Sequence, residues 1–188
     1  MNAALLRRHF EQGHTYADYL ATDPGRAGAW RTQAGQVRIS TAHALLLHGF
    51  TRTMRVLVVS GIWCGDCSAQ GPMLAAIADA NPERIDMRWV DRDAHLELAE
   101  QIRICGGMRV PTVIWMAEDF EFVHLMGDRT LTRYRAMAAR KLGASCPLPG
   151  APVPPEEIEA TLADWVHEFE RVHLLLRLSP RLRELHRD

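Results

Sequence analysis

The chain has 188 residues, enough for one core with appended elements but not for two full-sized domains. Its 22 Lys and Arg against 23 Asp and Glu leave a net charge of −1, so nothing points to nucleic acid or a membrane surface as partner. The four cysteines are too few for a disulfide-stapled scaffold. No apolar run near the N-terminus has signal-peptide length and none reaches the ~18 residues of a membrane span, so the expected compartment is the cytoplasm.

Residues 2 to 20 carry Leu5, Leu6, Phe10, Tyr16, Tyr19 and Leu20 in a loose helical stripe interrupted at Gly13, which predicts one or two helices before a turn at Asp23-Pro24-Gly25. Ser40 or Thr41 suits the N-cap of a further amphipathic stretch, Ala42 to Phe50. His43 and His48 within it do not share a helix face and read as surface or packing residues. Arg55 to Ser60 has the character of a buried parallel strand. The helix predicted over Cys67 to Ala80 turns Met73, Leu74, Ile77 and Ala78 inward, should bend near Pro72, and stops at Asn81-Pro82.

Ile85, Met87 and Trp89 alternate with polar residues as a strand, and Leu96 to Ile104 reads as a short helix ended by Gly106-Gly107. Thr112 to Met116 and Glu121 to Met126 are two strands joined by a tight turn at Glu118-Asp119, and Leu131 to Leu142 is an amphipathic helix. The stretch Cys146 to Pro155 is rich in proline and reads as a linker. Beyond it Ile158, Leu162, Trp165, Phe169, Val172 and Leu176 recur at helical spacing until Ser179-Pro180. That stripe must be buried, on the same domain or in a contact such as a homodimer through this helix. The organisation expected is a helical extension over 1–51, a central α/β domain over 52–144, a linker over 145–155 and a helical extension over 156–188.

Chemistry concentrates in Trp63-Cys64-Gly65-Asp66-Cys67, between the buried strand and the helix. Cysteines three apart in a first helical turn lie on one face and can bring their sulfurs to bonding distance. Unpaired backbone N–H groups and the positive end of the helix dipole favour a thiolate there. Cys64, at the helix entrance, is the better placed for this. Trp63 supplies an apolar flank, and Gly65 leaves room for another chain's backbone. A C-x-x-C can also be half of a zinc site, but no second pair of ligands follows at a suitable spacing. Disulfide exchange needs an attacking thiolate and a nearby second thiol, so Cys64 would attack and Cys67, more buried and less acidic, would resolve. Cys105 reads as a buried structural thiol, and Cys146 as non-catalytic.

With these residues in view the chain resembles the thioredoxin family. Besides Trp63-Cys64-Gly65-Asp66-Cys67, Pro72 stands where members carry a helix-kinking proline, Arg109-Val110-Pro111-Thr112 resembles the cis-proline segment, and Gly127 falls where the family has a glycine. Asp91-Arg92-Asp93 and Gly106-Gly107 look like a bacterial thioredoxin-like subfamily with a helical N-terminal extension. The resemblance implies a thioredoxin-like α/β fold: a central mixed sheet flanked by helices, with helical extensions at both ends. It also implies a cis Val110-Pro111 bond that turns the Val110 backbone towards the sulfurs to pair with an incoming peptide. Two departures stand out. Val58 occupies the place of the buried aspartate that helps to move the resolving thiol's proton. Asp66 replaces a proline, and its carboxylate either raises the neighbouring thiol pKa, relays that proton, or serves only as an acidic residue in a helix's first turn.

The reading is therefore a thiol:disulfide oxidoreductase acting without cofactor or metal. Its partners would be a disulfide-containing protein or small thiol substrate and an upstream electron donor. Arg109 would help to choose an acidic partner. The alternative is a redox-sensing or protein-interaction module without turnover.

Overall fold

The computed structural model describes residues 1–142 and 156–188, so the linker expected over 145–155, with Cys146, lies outside the described residues. Four helices come first: α1 (Ala3–Glu11), α2 (Tyr16–Ala21), α3 (Ala27–Ala34) and α4 (Thr41–His48). Side-chain oxygens of Asn2, Thr15 and Ser40 cap α1, α2 and α4 by accepting backbone N–H bonds. Helix α3 is additional to the sequence expectation. Only Ala27 and Trp30 of its residues are buried, which is too little to write an apolar stripe.

Strand β1 (Met54–Ser60) follows, then α5 (Gly65–Ala80), β2 (Ile85–Asp91), α6 (Leu96–Gln101), β3 (Thr112–Met116), β4 (Phe122–Gly127), α7 (Leu131–Leu142), α8 (Glu157–Leu178) and α9 (Pro180–His186). The sheet order is β2-β1-β3-β4, with β1 parallel to β2 and antiparallel to β3, and β3 antiparallel to β4. β1 is central and buried almost throughout, which is why its sequence is a continuous apolar run rather than an alternation. Such a strand delivers its C-terminal end, and whatever follows it, to one fixed place.

The N-terminal helices are part of the structure around the sheet. His14 makes a two-bond backbone bridge with Trp89 on the edge strand β2 (2.8 and 2.9 Å), covering an edge otherwise open to other chains. Trp30 is fully buried against α5 at Gly71, where an added Cβ would come 2.1 Å from the indole ring. Trp30 Nε1 also donates to the Ile62 carbonyl at 3.1 Å, tying α3 to the loop just before the dithiol.

The stripe predicted on α8 is also used within the chain. Leu162, Trp165, Phe169, Val172 and Leu176 are buried, with Trp115 of β3 against Trp165 and Phe169 at ring separations of 6.3 and 5.3 Å. Burial on the same domain is thus what these side chains do, and they form no free face for a second copy. Gln70 of α5, fully buried, links the layers. Its Oε1 accepts from Trp165 Nε1 at 3.2 Å and its Nε2 donates to the Asp128 carbonyl at 3.0 Å.

Two local expectations are corrected. The helix expected to reach Ile104 ends at Gln101, because residues 104–107 form a two-residue turn closed by reciprocal Ile104 and Gly107 backbone bonds. The turn puts Cys105 at φ 50° and Gly106 at φ 75°, the left-handed pair that such a tight reversal requires. Cys105 is therefore exposed rather than buried, since a turn tip has no core to face.

Candidate active site

Helix α5 begins one residue after Cys64, which is its N-cap (φ −85°, ψ 126°). A sulfur thus takes the place usually held by a serine or aspartate oxygen, accepting the Cys67 backbone N–H at 3.4 Å. Cys64 is half-buried and Cys67 fully buried, and both are free thiols. The Cys64 thiol is pulled down to about 6, first by the hydrogen bond from the Cys67 thiol, against the opposing effect of burial, and further by the Cys67 and Asp66 backbone N–H groups. Cys67 moves the other way: burial pushes it well above its ordinary value, and the neighbouring Cys64 sulfur adds to this. The two sulfurs therefore divide into an accessible thiolate and a protected thiol.

Opposite them lies the segment before β3. The Val110-Pro111 bond is cis, and the Val110 carbonyl lies 3.6 Å from the Cys64 Sγ, whose S–H it accepts when the thiol is protonated. Val110 is buried, and its main-chain carbonyl is the group that meets the sulfur. Trp63, 43% exposed, flanks the site with the Arg92 guanidinium 4.7 Å above its ring. A Cβ built on Gly65 would meet nothing within 4 Å, so the side of the motif beside Cys64 is open.

Asp66 stands in the first turn of α5, as the simplest sequence reading has it, but it is not alone there. Its oxygens are held by Arg129 and by Arg133, the latter at 3.0 Å. Burial works against its charge, but the two guanidiniums outweigh it and keep the carboxylate below its usual pKa. A carboxylate so held is a poor proton acceptor, which removes the relay role considered for it. Its other role survives, since its negative charge does raise the Cys64 pKa.

Arg129 continues from Asp66 to the buried Asp128 at 2.6 Å, and Arg109 meets Asp128 at 3.3 Å. Arg109 is thus tied to the loop after β4 and is not a free cation available to choose a partner. Arg133 also reaches Glu157 of α8 at 2.9 Å. Arg129 and Arg133 are additions to the sequence reading. Arg129 stands just before α7 and Arg133 in its first turn, and nothing local in the sequence points to their partner in α5.

Asp66→Asn is expected to lower the Cys64 pKa further, because the change removes a nearby negative charge that opposes the thiolate, while Arg129 and Arg133 keep their other partners, Asp128 and Glu157. A titration of thiolate ultraviolet absorbance checks this, and equal values in the two proteins would refute it.

A mixed sheet with a dithiol at the mouth of the helix after its central strand, facing a proline segment, is the arrangement of the thioredoxin-fold class. A family model described as Thioredoxin matches residues 13–139, and the chain belongs to that family. The match begins near His14 and so takes in three of the four N-terminal helices. Among solved structures the chain is similar to a protein of unknown function from Pseudomonas aeruginosa, with 20% identity, 86% of this chain and 95% of that one covered, and a TM-score of 0.66. It is also similar to an HIV epitope-scaffold protein, with 19% identity, 87% and 90% coverage, and a TM-score of 0.58. At these identities the likeness speaks for the fold alone. None of the curated proteins matches the chain. Among the described residues no helix is long and apolar enough to cross a membrane, and no group of three or more His, Cys, Asp or Glu is placed to hold a metal ion.

Proposed function

We propose that this protein is a thiol:disulfide oxidoreductase that reduces or exchanges protein disulfides through Cys64 and Cys67 in the cytoplasm. The observation that carries the reading is the asymmetry of the pair, with an accessible sulfur at about 6 beside a buried thiol shifted upwards. A module that only senses or docks has no need of that division. Membership of the thioredoxin family supports the same class of chemistry.

The Cys64 thiolate attacks one sulfur of a substrate disulfide. One bond forms from Cys64 to that sulfur, and the other substrate sulfur leaves as a thiolate. The Cys67 thiol then gives up its proton and attacks the Cys64 sulfur. The intramolecular disulfide forms, and the second substrate sulfur departs and takes up a proton. An upstream dithiol donor supplies two electrons to restore the pair. The cis Val110-Pro111 segment offers main-chain hydrogen bonds to the substrate's extended backbone, while Trp63 and the open side at Gly65 accommodate the flanking residues.

An insulin disulfide-reduction assay with dithiothreitol as electron source tests the reading. Wild type is expected to accelerate precipitation of the reduced chain, and Cys64→Ser to give only the uncatalysed rate. Equal rates for the two proteins would overturn it.

A further inference from the structure

The dithiol turn and the Val110-Pro111 segment are the two walls of the site, and the sheet does not itself join them, because β1 and β3 pair no further than Val59 with Thr112. A third segment, the loop after β4, reaches both. Arg129 in that loop spends its two terminal nitrogens on different carboxylates. Nη1 donates to Asp128 at 2.6 Å, and Nη2 donates to Asp66, the residue between the two cysteines. Asp128 in turn accepts from Arg109 Nη1 at 3.3 Å, and Arg109 is the residue directly before Val110. The result is an unbroken line of ion pairs from one wall to the other: Asp66, Arg129, Asp128, Arg109.

Most of this line is sheltered from water. The side chains of Asp128, Arg129 and Asp66 are only 5, 15 and 17% exposed, and breaking such a pair strands an uncompensated charge, so each link holds the next in place. The links are also braced from outside. The Tyr134 hydroxyl donates to the Asp128 carboxylate, and Gln70 Nε2 donates to the Asp128 carbonyl at 3.0 Å. At one end Arg133, paired with Glu157 of α8 at 2.9 Å, takes the other oxygen of Asp66 at 3.0 Å. At the far end Thr112 Oγ1 donates to the Arg109 carbonyl at 2.8 Å.

We propose that Arg129 is a positioning residue that fixes the spacing between the two walls, so that a substrate backbone seated on Val110 brings its disulfide into line with Cys64. The inference rests on the redox reading of the dithiol given above. Attack requires the incoming sulfur and the two substrate sulfurs to align. For a protein substrate that alignment is inherited from the extended backbone paired with the Val110 main chain, and it is lost when the walls drift apart. A small disulfide has no backbone to seat and aligns on the sulfur alone. The bridge therefore matters far more to a protein disulfide than to a small one. It also requires an arginine and not merely a positive charge, because a lysine has one nitrogen where the guanidinium offers two in a fixed fork.

The test uses reduced full-length protein carrying Cys105→Ser and Cys146→Ser, mixed in single turnover with excess insulin or with excess bis(2-hydroxyethyl) disulfide, which is small and uncharged. Oxidation of the Cys64-Cys67 pair is followed by acid quench and mass spectrometry. A pH of about 8 keeps Cys64 a thiolate in every variant, since its midpoint lies at about 6. The readout is the ratio of the insulin rate to the small-disulfide rate. Arg129→Gln is expected to lower that ratio about tenfold, the scale of a slight misplacement at a reacting centre. Arg129→Lys is expected to lower it as much, because it keeps the charge and loses the bridge. Arg109→Gln cuts the far link at a side chain 40% exposed, is expected to have the same effect, and decides the question where the Arg129 variants fail to fold. An unchanged ratio, or full restoration by lysine, would overturn the inference while leaving the dithiol reading intact. A parent protein oxidised by neither disulfide would instead refute the dithiol reading, and the inference with it.

Discussion

Trp30→Ala is expected to lose about 3 to 5 kcal/mol of unfolding free energy in urea denaturation, the range for removing a large aromatic from a packed core. The indole is fully buried and touches three other aromatic residues, Tyr16, Tyr19 and Trp89, with ring separations between 5.8 and 6.2 Å. Its removal also leaves the Ile62 carbonyl without the 3.1 Å bond from Nε1. The same contact can be approached from the other side. Gly71→Ala would place a Cβ 2.1 Å from the ring, which both packed surfaces must move to admit, at a cost of about 1 to 3 kcal/mol. Since the added methyl would then occupy vacated space, the double variant should lose less than the sum of the two. A loss under about 1 kcal/mol for Trp30→Ala would contradict the description of α3 as part of the core.

What the sequence reveals and what it hides follow from the range of the interactions concerned. The buried central strand was legible because Val56 to Val59 must be apolar on both faces, and the dithiol because its chemistry is written within one helical turn. The long C-terminal helix was legible from its spacing, and its bounds were nearly exact. Cys105 misled because an apolar neighbourhood in sequence suggests burial, whereas the adjoining glycine makes a turn that turns the residue outwards. α3 was silent because it anchors through one tryptophan rather than a stripe.

The site's electrostatic surroundings were beyond local reading altogether. Asp66 with Arg129 and Arg133 is a pairing between distant segments that only the packed fold creates. Asp66 illustrates the consequence. As an isolated residue it could be a cap, a base or a field source, and two guanidiniums remove the second option.

The division of labour between the two sulfurs produces the other large effect. Alkylation by iodoacetamide proceeds through the thiolate, so a thiol at about 6 is about 90% reactive at pH 7, whereas one shifted well above its ordinary value is almost wholly protonated. Cys64 should therefore be modified at least about a hundredfold faster than Cys67 at neutral pH, with burial of Cys67 widening the gap. The sign of the pH dependence follows from a lowered pKa: reactivity of Cys64 is already near its plateau at pH 7 and falls away as the pH drops through about 6.

Measuring that profile by peptide mass spectrometry, residue by residue, tests most directly whether the protein holds a nucleophilic thiolate backed by a reserved thiol. The structure predicts a Cys64 midpoint near 6 and negligible labelling of Cys67 in the folded protein. A Cys64 rate still climbing at pH 8 and above, or equal labelling of the two cysteines, would contradict it.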